Sequence, residues 1–156
     1  MQRSIAGPHL PVFMSPHHHQ LTVETTAPIQ LLDVTDAVRD WLATTGVRDG
    51  LLTLLSAHTT ARVVINERDE RLQADMVRFL EGLAPAEAPY AHNTATVDGR
   101  PNAHAHLLAL LGSAGESIPV AQGALLLGAW QSIFLLELDG PRRARTVHLH
   151  LLASDA

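Results

Sequence analysis

The chain has no cysteine, few aromatic residues and no excess of basic charge. The absence of cysteine excludes a disulfide framework, thiolate catalysis and a zinc site built from thiolates. Metal ligands would therefore have to come from histidine, aspartate, glutamate or water. With 11 Lys+Arg against 16 Asp+Glu the net charge is -5, so the sequence offers a nucleic-acid partner little electrostatic attraction.

Long apolar runs are absent as well. The longest stretches, such as Leu107–Leu111 and Ala124–Trp130, fall well short of the roughly 18 residues that a membrane-spanning helix needs. The N-terminus has no continuous apolar core of the kind that a signal peptide carries. We therefore expect a soluble cytoplasmic protein with no membrane partner.

The 156 residues do contain enough apolar sequence, 46%, for one well-buried domain. Residues 1–19 hold three prolines and the run His17-His18-His19, and we predict that they form a disordered extension. Residues 20–156 are predicted to form the single domain. The three histidines can bind metal adventitiously, and we assign them no function.

Apolar periodicity in residues 20–156 predicts an α+β fold. Alternating or nearly continuous apolar runs predict strands at 21–26, 51–56, 62–65, 118–120, 124–127, 130–138 and 146–151. Apolar residues at helical spacing predict helices at 33–46, 69–83 and 102–111. Because strands outnumber helices, we expect an antiparallel sheet or sandwich that carries two to three helices.

The helix predicted at 69–83 carries a carboxylate on its apolar face. Leu72, Met76, Phe79 and Leu83 form the apolar stripe, and Asp75 falls on the same side of the helix. Burying an unpaired carboxylate is costly. We therefore expect Asp75 to have a partner or to line a cleft.

Ten histidines are many for a chain of this length, and histidine is the side chain that titrates near neutral pH. His104 and His106 lie about 200° apart around their helix, so they cannot readily share one ligand. His104 faces the apolar stripe, whereas His106 faces a cleft, a subunit interface or solvent. His148 and His150 alternate with apolar residues of the last strand, which predicts a solvent or interface face.

Charged residues cluster around the Gly140-Pro141 turn. Arg142 and Arg143 follow it directly, and two guanidinium groups on a loop can bind phosphate, although charged pairs beside turns are commonly just solvated. Glu137 and Asp139 lie two residues apart on the preceding strand and so share a face. They are candidates to bind a metal or to pair with the two arginines.

Seven short motifs occur in a fixed order along the chain. They are His58-Thr59-Thr60-Ala61, Asn66-Glu67, Asp75-Met76, Tyr90-Ala91-His92, His106-Leu107 with Pro119 beyond it, Gly128-Ala129-Trp130-Gln131 and Gly140-Pro141-Arg142-Arg143. Together they resemble the YjbQ-like or UPF0047 proteins, also called the secondary thiamine-phosphate synthase family. The chain departs from the family pattern at Asn93, Ser113 and Ala129, where the family often has an acid, a glycine and a threonine.

The resemblance implies a compact β-rich subunit that assembles as a homotrimer, with sites near subunit boundaries. It implies formation of thiamine phosphate from hydroxymethylpyrimidine diphosphate and thiazole phosphate, with release of diphosphate. The candidate catalytic residues are then His58, Asp75, His106 and Gln131. The candidate residues for binding a small phosphorylated substrate are Thr59, Asn66, Trp130, Arg142 and Arg143.

A divalent metal fits the same candidate site. His58, His92 and His106 can supply neutral imidazoles to one ion, with Asp75 or water completing the shell, or one of them can act as a general base. Mg²⁺ would neutralise a leaving diphosphate, and Zn²⁺ is possible at the histidine site. The sequence has no glycine-rich loop of the Walker type, so phosphate binding would rest on arginine side chains or helix N-termini.

Two other functions remain open from the sequence. A metal-dependent hydrolase would use a histidine-bound metal to activate water. A non-catalytic trimeric module would bind a small anionic metabolite, and the ligand would stabilise it without turnover.

Overall fold

The computed structural model describes the backbone of residues 14–154 and the side chains of residues 17–153. The strands are β1 Met14–Thr25, β2 Gln30–Asp33, β3 Gly50–Ser56, β4 Ala61–Glu67, β5 Gly115–Ala121, β6 Ala124–Leu125, β7 Gln131–Glu137 and β8 Arg142–Ser154. The helices are α1 Thr35–Thr45, α2 Glu70–Leu83 and α3 Ala103–Leu108, with short 3₁₀ turns at Ala91–Thr94 and Ala109–Leu111. These elements confirm the predicted α+β class.

The strands form two antiparallel sheets that pack as a sandwich. One sheet has the order β1-β8-β3-β5-β6, and the other has the order β2-β7-β4. Alternate residues of each strand point into the space between the sheets. Leu54 of β3, Val63 of β4, Leu135 of β7 and Leu149 of β8 meet there and are fully buried. This cluster is the main core.

Helix α1 closes one side of the core because its sequence has clear start and stop signals. The Asp33 carboxylate accepts a hydrogen bond from the Thr35 N–H at 2.8 Å, and Gly46 ends the helix with a left-handed φ of 70°, a conformation that glycine adopts without strain. Val38 and Leu42 are buried against both sheets. Across residues 14–154, no helix combines the length and apolarity needed to cross a membrane.

The predicted boundary at residue 20 is wrong for the residues just before it. Strand β1 begins at Met14, and its pairing with β8 runs from Met14 opposite Ser154 to Thr25 opposite Arg142. His17, His18 and His19 therefore belong to the sheet. They are held by pairing with β8, which is more than 100 residues later in the sequence. Local composition carries no information about such a contact. Residues 1–13 lie outside the described chain, and β2 was not predicted.

The predicted burial of the α2 stripe is also wrong in the single chain. Each described residue of α2 is at least partly exposed, and Phe79 and Leu83 are 65% and 52% exposed. Asp75 is exposed and forms an ion pair with Arg78, one turn along the helix. The spacing identified an apolar stripe correctly, but spacing does not reveal what covers that stripe.

Candidate functional site

A polar cleft of about 480 Å³ lies where the β3–β4 loop, the loop before α3 and the start of β8 come together. The β3–β4 loop contributes His58 and Thr59, the 3₁₀ turn contributes His92, and α3 contributes His106. Arg142 comes from the beginning of β8. The fold thus brings together five of the residues that the sequence singled out.

The other five predicted site residues lie elsewhere in the single chain. Asp75 is on the exposed face of α2, Asn66 lines an apolar groove beside α2, and Arg143 lines a small cavity beside Glu24. Trp130 is 76% exposed. The Gln131 side chain accepts a hydrogen bond from the Gly128 N–H at 2.7 Å and so closes its own turn.

A β-bulge decides which arginines reach the cleft. Val23 pairs with Arg145, but Thr25 pairs with Arg142, so two steps along β1 match three along β8. Residues three apart on a regular strand point to opposite faces, and one extra residue in β8 removes that alternation. Arg142 and Arg145 consequently line the same cleft.

Arg145 is held by a buried carboxylate. Its Nε donates to Glu137 Oε2 at 2.6 Å, and its Nη2 donates to Glu137 Oε1 and to Thr60 Oγ1. Glu137 is completely buried and also accepts from Thr25 Oγ1 at 3.0 Å. Burial alone would raise the pKa of Glu137, but the hydrogen bonds and charge of Arg145 hold that pKa below its usual range. The pair is therefore charged, and Arg145 lines the cleft.

Asp139 organises a second part of the cleft wall. It accepts hydrogen bonds from Asn102 Nδ2 at 2.9 Å, Arg100 Nη2 at 3.0 Å and Arg142 Nη2. Burial pushes the pKa of Asp139 upward, and these donors outweigh that effect and lower it. Of the two roles predicted for the acidic pair, the structure shows pairing with arginine. Glu137 pairs with Arg145 rather than Arg143.

Arg142 keeps unused hydrogen-bonding capacity. Its Nη2 is bound to Asp139, whereas its Nε is buried and has no hydrogen-bond partner among the described residues. The side chain is 25% exposed at the cleft. A buried guanidinium N–H without a partner is unfavourable. A small shift of the Arg142 side chain that let an anionic ligand in the cleft supply an acceptor would therefore be favoured.

His58 has one ring nitrogen committed to the backbone. Its Nε2 accepts a hydrogen bond from the Thr146 N–H at 2.8 Å. Burial lowers the pKa of His58, and the positive charges of Arg145 and Arg142 lower it further. In the neutral ring, the proton must then sit on Nδ1, an assignment made from the hydrogen bond. In this arrangement His58 is a hydrogen-bond donor to the cleft and offers no lone pair to a metal.

His92 and His106 form a contacting pair that also lines the cleft. Their ring centroids are 5.2 Å apart and their planes meet at 79°. The Asn93 side chain links the 3₁₀ turn of His92 to the start of α3, because its Oδ1 accepts a hydrogen bond from the Ala103 N–H at 3.0 Å. Over residues 17–153, no three His, Asp or Glu side chains converge in a way that would hold a metal. The single chain therefore does not build the predicted three-histidine metal site.

We expect the stabilising contribution of His58 to disappear on acidification. Because the folded-state pKa of His58 is lowered, the unfolded chain binds the proton more readily than the folded one. The contribution is present above the unfolded pKa, about 6.5, and is lost as pH falls through the lower folded value. Urea unfolding gives the free energy of unfolding of wild type and of His58→Gln. We expect the advantage of wild type over the variant to be larger at pH 7.5 than at pH 5. A pH-independent difference, or an equal pH effect in the His150→Gln control, would contradict this.

Arg145 and Asn102 are among the cleft residues that the sequence analysis missed. Arg145 was overlooked because regular strand alternation places it on the face opposite Arg142. Asn102 was predicted only as the first residue of a helix, but its side chain donates a hydrogen bond to Asp139 at the cleft wall. The sequence could have indicated that Arg145 shares a face with Arg142 only if a bulge had been expected between them.

The fold and the cleft together define an α+β sandwich protein with an arginine- and histidine-lined cleft at the ends of its strands. The chain belongs to the UPF0047 protein YjbQ-like family, whose pattern matches residues 19–154.

Known relatives and solved structures agree with this membership. A UPF0047 protein of Methanothermobacter thermautotrophicus is 41% identical over 134 residues, which are 86% of this chain and 91% of the relative. The UPF0047 protein YugU of Bacillus subtilis is 32% identical over 133 residues, 85% of this chain and 96% of the relative. The structure is similar to that of a YbjQ-like protein of unknown function from Sulfolobus solfataricus P2, with a TM-score of 0.85, 33% identity and coverage of 91% of this chain and 100% of the other. A hypothetical protein from Aeropyrum pernix K1 matches with a TM-score of 0.80, 41% identity and coverage of 89% and 99%.

Proposed function

We propose that the cleft binds a phosphorylated small molecule and that the protein forms thiamine phosphate from hydroxymethylpyrimidine diphosphate and thiazole phosphate. The observation that carries the anion-binding part is the meeting of Arg142 and Arg145 in one cleft, with the Arg142 Nε lacking a partner among the described residues. The particular reaction rests on the resemblance of the site motifs to that family.

The reaction is a displacement that needs charge stabilisation more than a protein nucleophile. The thiazole nitrogen would form a bond to the methylene carbon of the pyrimidine while the bond from that carbon to the diphosphate oxygen breaks. Negative charge then grows on the departing diphosphate, which arrives with Mg²⁺ as part of the substrate. Arg142 would bind that charge, and the Nδ1–H of His58 would donate a hydrogen bond to it.

His92 and His106 would position the reacting partner. Both rings line the polar cleft and also a neighbouring, more apolar cavity of about 420 Å³ that contains Tyr90 and Leu107. A phosphorylated ring compound could place its phosphate on the arginine side and its ring on the apolar side. This arrangement suits substrates that are each a heterocycle joined to a phosphate or diphosphate.

Thiamine phosphate formation by the purified protein, measured with and without Mg²⁺, tests this proposal. We expect Mg²⁺-dependent product, and a loss of about 100-fold or more in His106→Ala, the range in which a positioned acid, base or orienting group acts. His58→Ala should lose activity as well, and His150→Ala, changed on an exposed strand position, should not. Hydrolysis of a phosphate ester without joining would favour a metal-dependent hydrolase, and stabilisation by phosphate without turnover would favour a binding module.

We also infer that the chain assembles as a homotrimer with sites near subunit boundaries. The support is the uncovered apolar surface, which includes Phe79 and Leu83 of α2 and Trp130. Phe79 borders an apolar groove that Leu31, Val64 and Met76 also line, and a contiguous exposed apolar patch commonly marks an interface. A neighbouring subunit would cover them and could carry predicted site residues that the single chain leaves outside its cleft.

Light scattering after size exclusion tests the trimer. We expect a mass of three chains for wild type, and smaller species for Phe79→Glu, because a buried unpaired carboxylate at the interface is costly. Arg71→Glu is the matched control, since Arg71 is 94% exposed on the same helix. A monomeric wild type would contradict the assembly, as would equal effects of the two substitutions.

A further inference from the structure

Three histidines lie on the outer face of the five-stranded sheet. His18 of β1 pairs with His150 of β8, and Gln20 pairs with His148, so these side chains share one face. The intervening residues of β8, such as Val147 and Leu149, are fully buried between the sheets. The histidines therefore project from the side of the sheet that faces away from the core.

Two of these rings approach each other closely. His18 Nε2 lies 3.2 Å from His148 Nδ1, and the ring centroids are 5.4 Å apart. In a tetrahedral site with metal–nitrogen bonds of about 2.0–2.1 Å, two ligand nitrogens are about 3.3 Å apart. The two nitrogens already have that separation because they share a hydrogen bond. A metal ion would replace the shared proton, the other nitrogen of each ring would carry the hydrogen, and rotation of the two side chains would aim both lone pairs at the ion.

We propose that His18 and His148 form a two-histidine site for a transition-metal ion such as Zn²⁺, Ni²⁺ or Cu²⁺. Neutral imidazole is a preferred ligand for these ions. His150 lies directly opposite His18, and cross-strand neighbours of this kind have Cβ atoms about 5 Å apart. It is within reach as a third ligand after a change of rotamer, and water would complete the shell.

The proposed site joins two strands whose pairing closes one edge of the sheet. β1 is the edge strand, and β8 is its neighbour in that sheet. A metal held by one histidine from each strand would bind the folded state in preference to the unfolded chain and would stabilise the folded state. The expected consequence is that the metal raises the melting temperature and fastens β1 to β8.

Calorimetric titration of the full chain with Ni²⁺ tests the proposal. We expect one ion per chain at this site, and at least about tenfold weaker binding in His18→Gln and in His148→Gln. His19→Gln is the matched control, because His19 is the next residue but stacks on Trp41, which packs against the core. His106→Gln is the control for binding in the cleft. Both controls should keep the affinity of wild type.

The site would be disproved if His18→Gln and His148→Gln, shown by circular dichroism to be folded, bound Ni²⁺ as tightly as wild type. Loss of the same ion in His106→Gln alone would also overturn it, because the binding would then belong to the cleft. Electron paramagnetic resonance of bound Cu²⁺ gives a second readout. We expect hyperfine coupling to imidazole nitrogens that is lost in both outer-face variants and retained in His19→Gln.

Discussion

Replacement of Arg145 by alanine is expected to lower the free energy of unfolding by about 3–5 kcal/mol, the usual result of removing one partner of a buried ion pair. Glu137 is completely buried and takes two hydrogen bonds from the Arg145 side chain. Without them its charge would remain in the interior with only Thr25 and two backbone N–H donors. Urea-induced unfolding at pH 7.5 measures the difference.

The pH dependence separates this cause from a simple loss of packing. In wild type the pKa of Glu137 is lowered. Its contribution to stability is therefore present above the ordinary glutamate pKa of about 4.5 and is lost as pH falls through the lower folded-state pKa. In Arg145→Ala, burial of Glu137 without the guanidinium would raise the pKa of Glu137. Protonation of Glu137 would then remove the buried unpaired charge and so reduce the loss of stability. The deficit should therefore shrink between pH 7.5 and pH 5.

Two further proteins serve as controls for Arg145→Ala. Arg143→Ala removes an exposed arginine of the same strand and should change stability by less than about 0.5 kcal/mol. The double variant Arg145→Met with Glu137→Gln replaces the ion pair by neutral groups and should recover part of the loss. If the free energy of unfolding of Arg145→Ala lay within about 1 kcal/mol of the wild-type value, the assigned role of the ion pair would be contradicted.

Arg142→Ala should reduce kcat/KM for thiamine phosphate formation about 10- to 100-fold, the value of a hydrogen bond to a charged group. Arg142 lines the cleft and has a buried Nε with no partner in residues 17–153. Arg143, its neighbour in sequence, lines a different cavity. Arg143→Ala removes the same charge one residue away and should keep activity within about twofold.

Fold damage should not explain the effect of Arg142→Ala. Asp139 would retain its hydrogen bonds from Asn102 and Arg100, so its charge stays compensated after Arg142 is removed. Steady-state kinetics and phosphate binding by calorimetry, measured on both variants, provide the comparison. Equal losses in Arg142→Ala and Arg143→Ala would mean that overall charge, rather than the geometry of the cleft, controls substrate binding.

Local patterns predicted the elements that local interactions determine. Helix α1 was predicted closely because Val38 and Leu42 mark its buried face and Gly46 its end. The predicted separation of His104 from His106 follows from helical geometry, and only His106 of the two lines the cleft. Strands β3, β4 and β7 also agree with their apolar runs.

Non-local contacts explain the predictions that were wrong. β1 extends back to Met14 because β8 is long enough to pair with it, and the composition of residues 14–19 contains no trace of that partner. The α2 stripe is apolar as predicted, yet Phe79 is largely exposed in the single chain. Asp75 is consequently a surface residue paired with Arg78.

The arginines after the Gly140 turn show the division between sequence and tertiary structure. The sequence by itself determined that cationic side chains would stand beside a turn, next to carboxylates on the preceding strand. The pairing of β8 with β1 decided which of them enter the cleft, since three residues from Arg142 to Arg145 match two on β1. That extra residue brings Arg142 to the side of β8 that Arg145 already shares with the inward-facing Val147 and Leu149. A bulge depends on the register between strands over 100 residues apart, which no local pattern encodes.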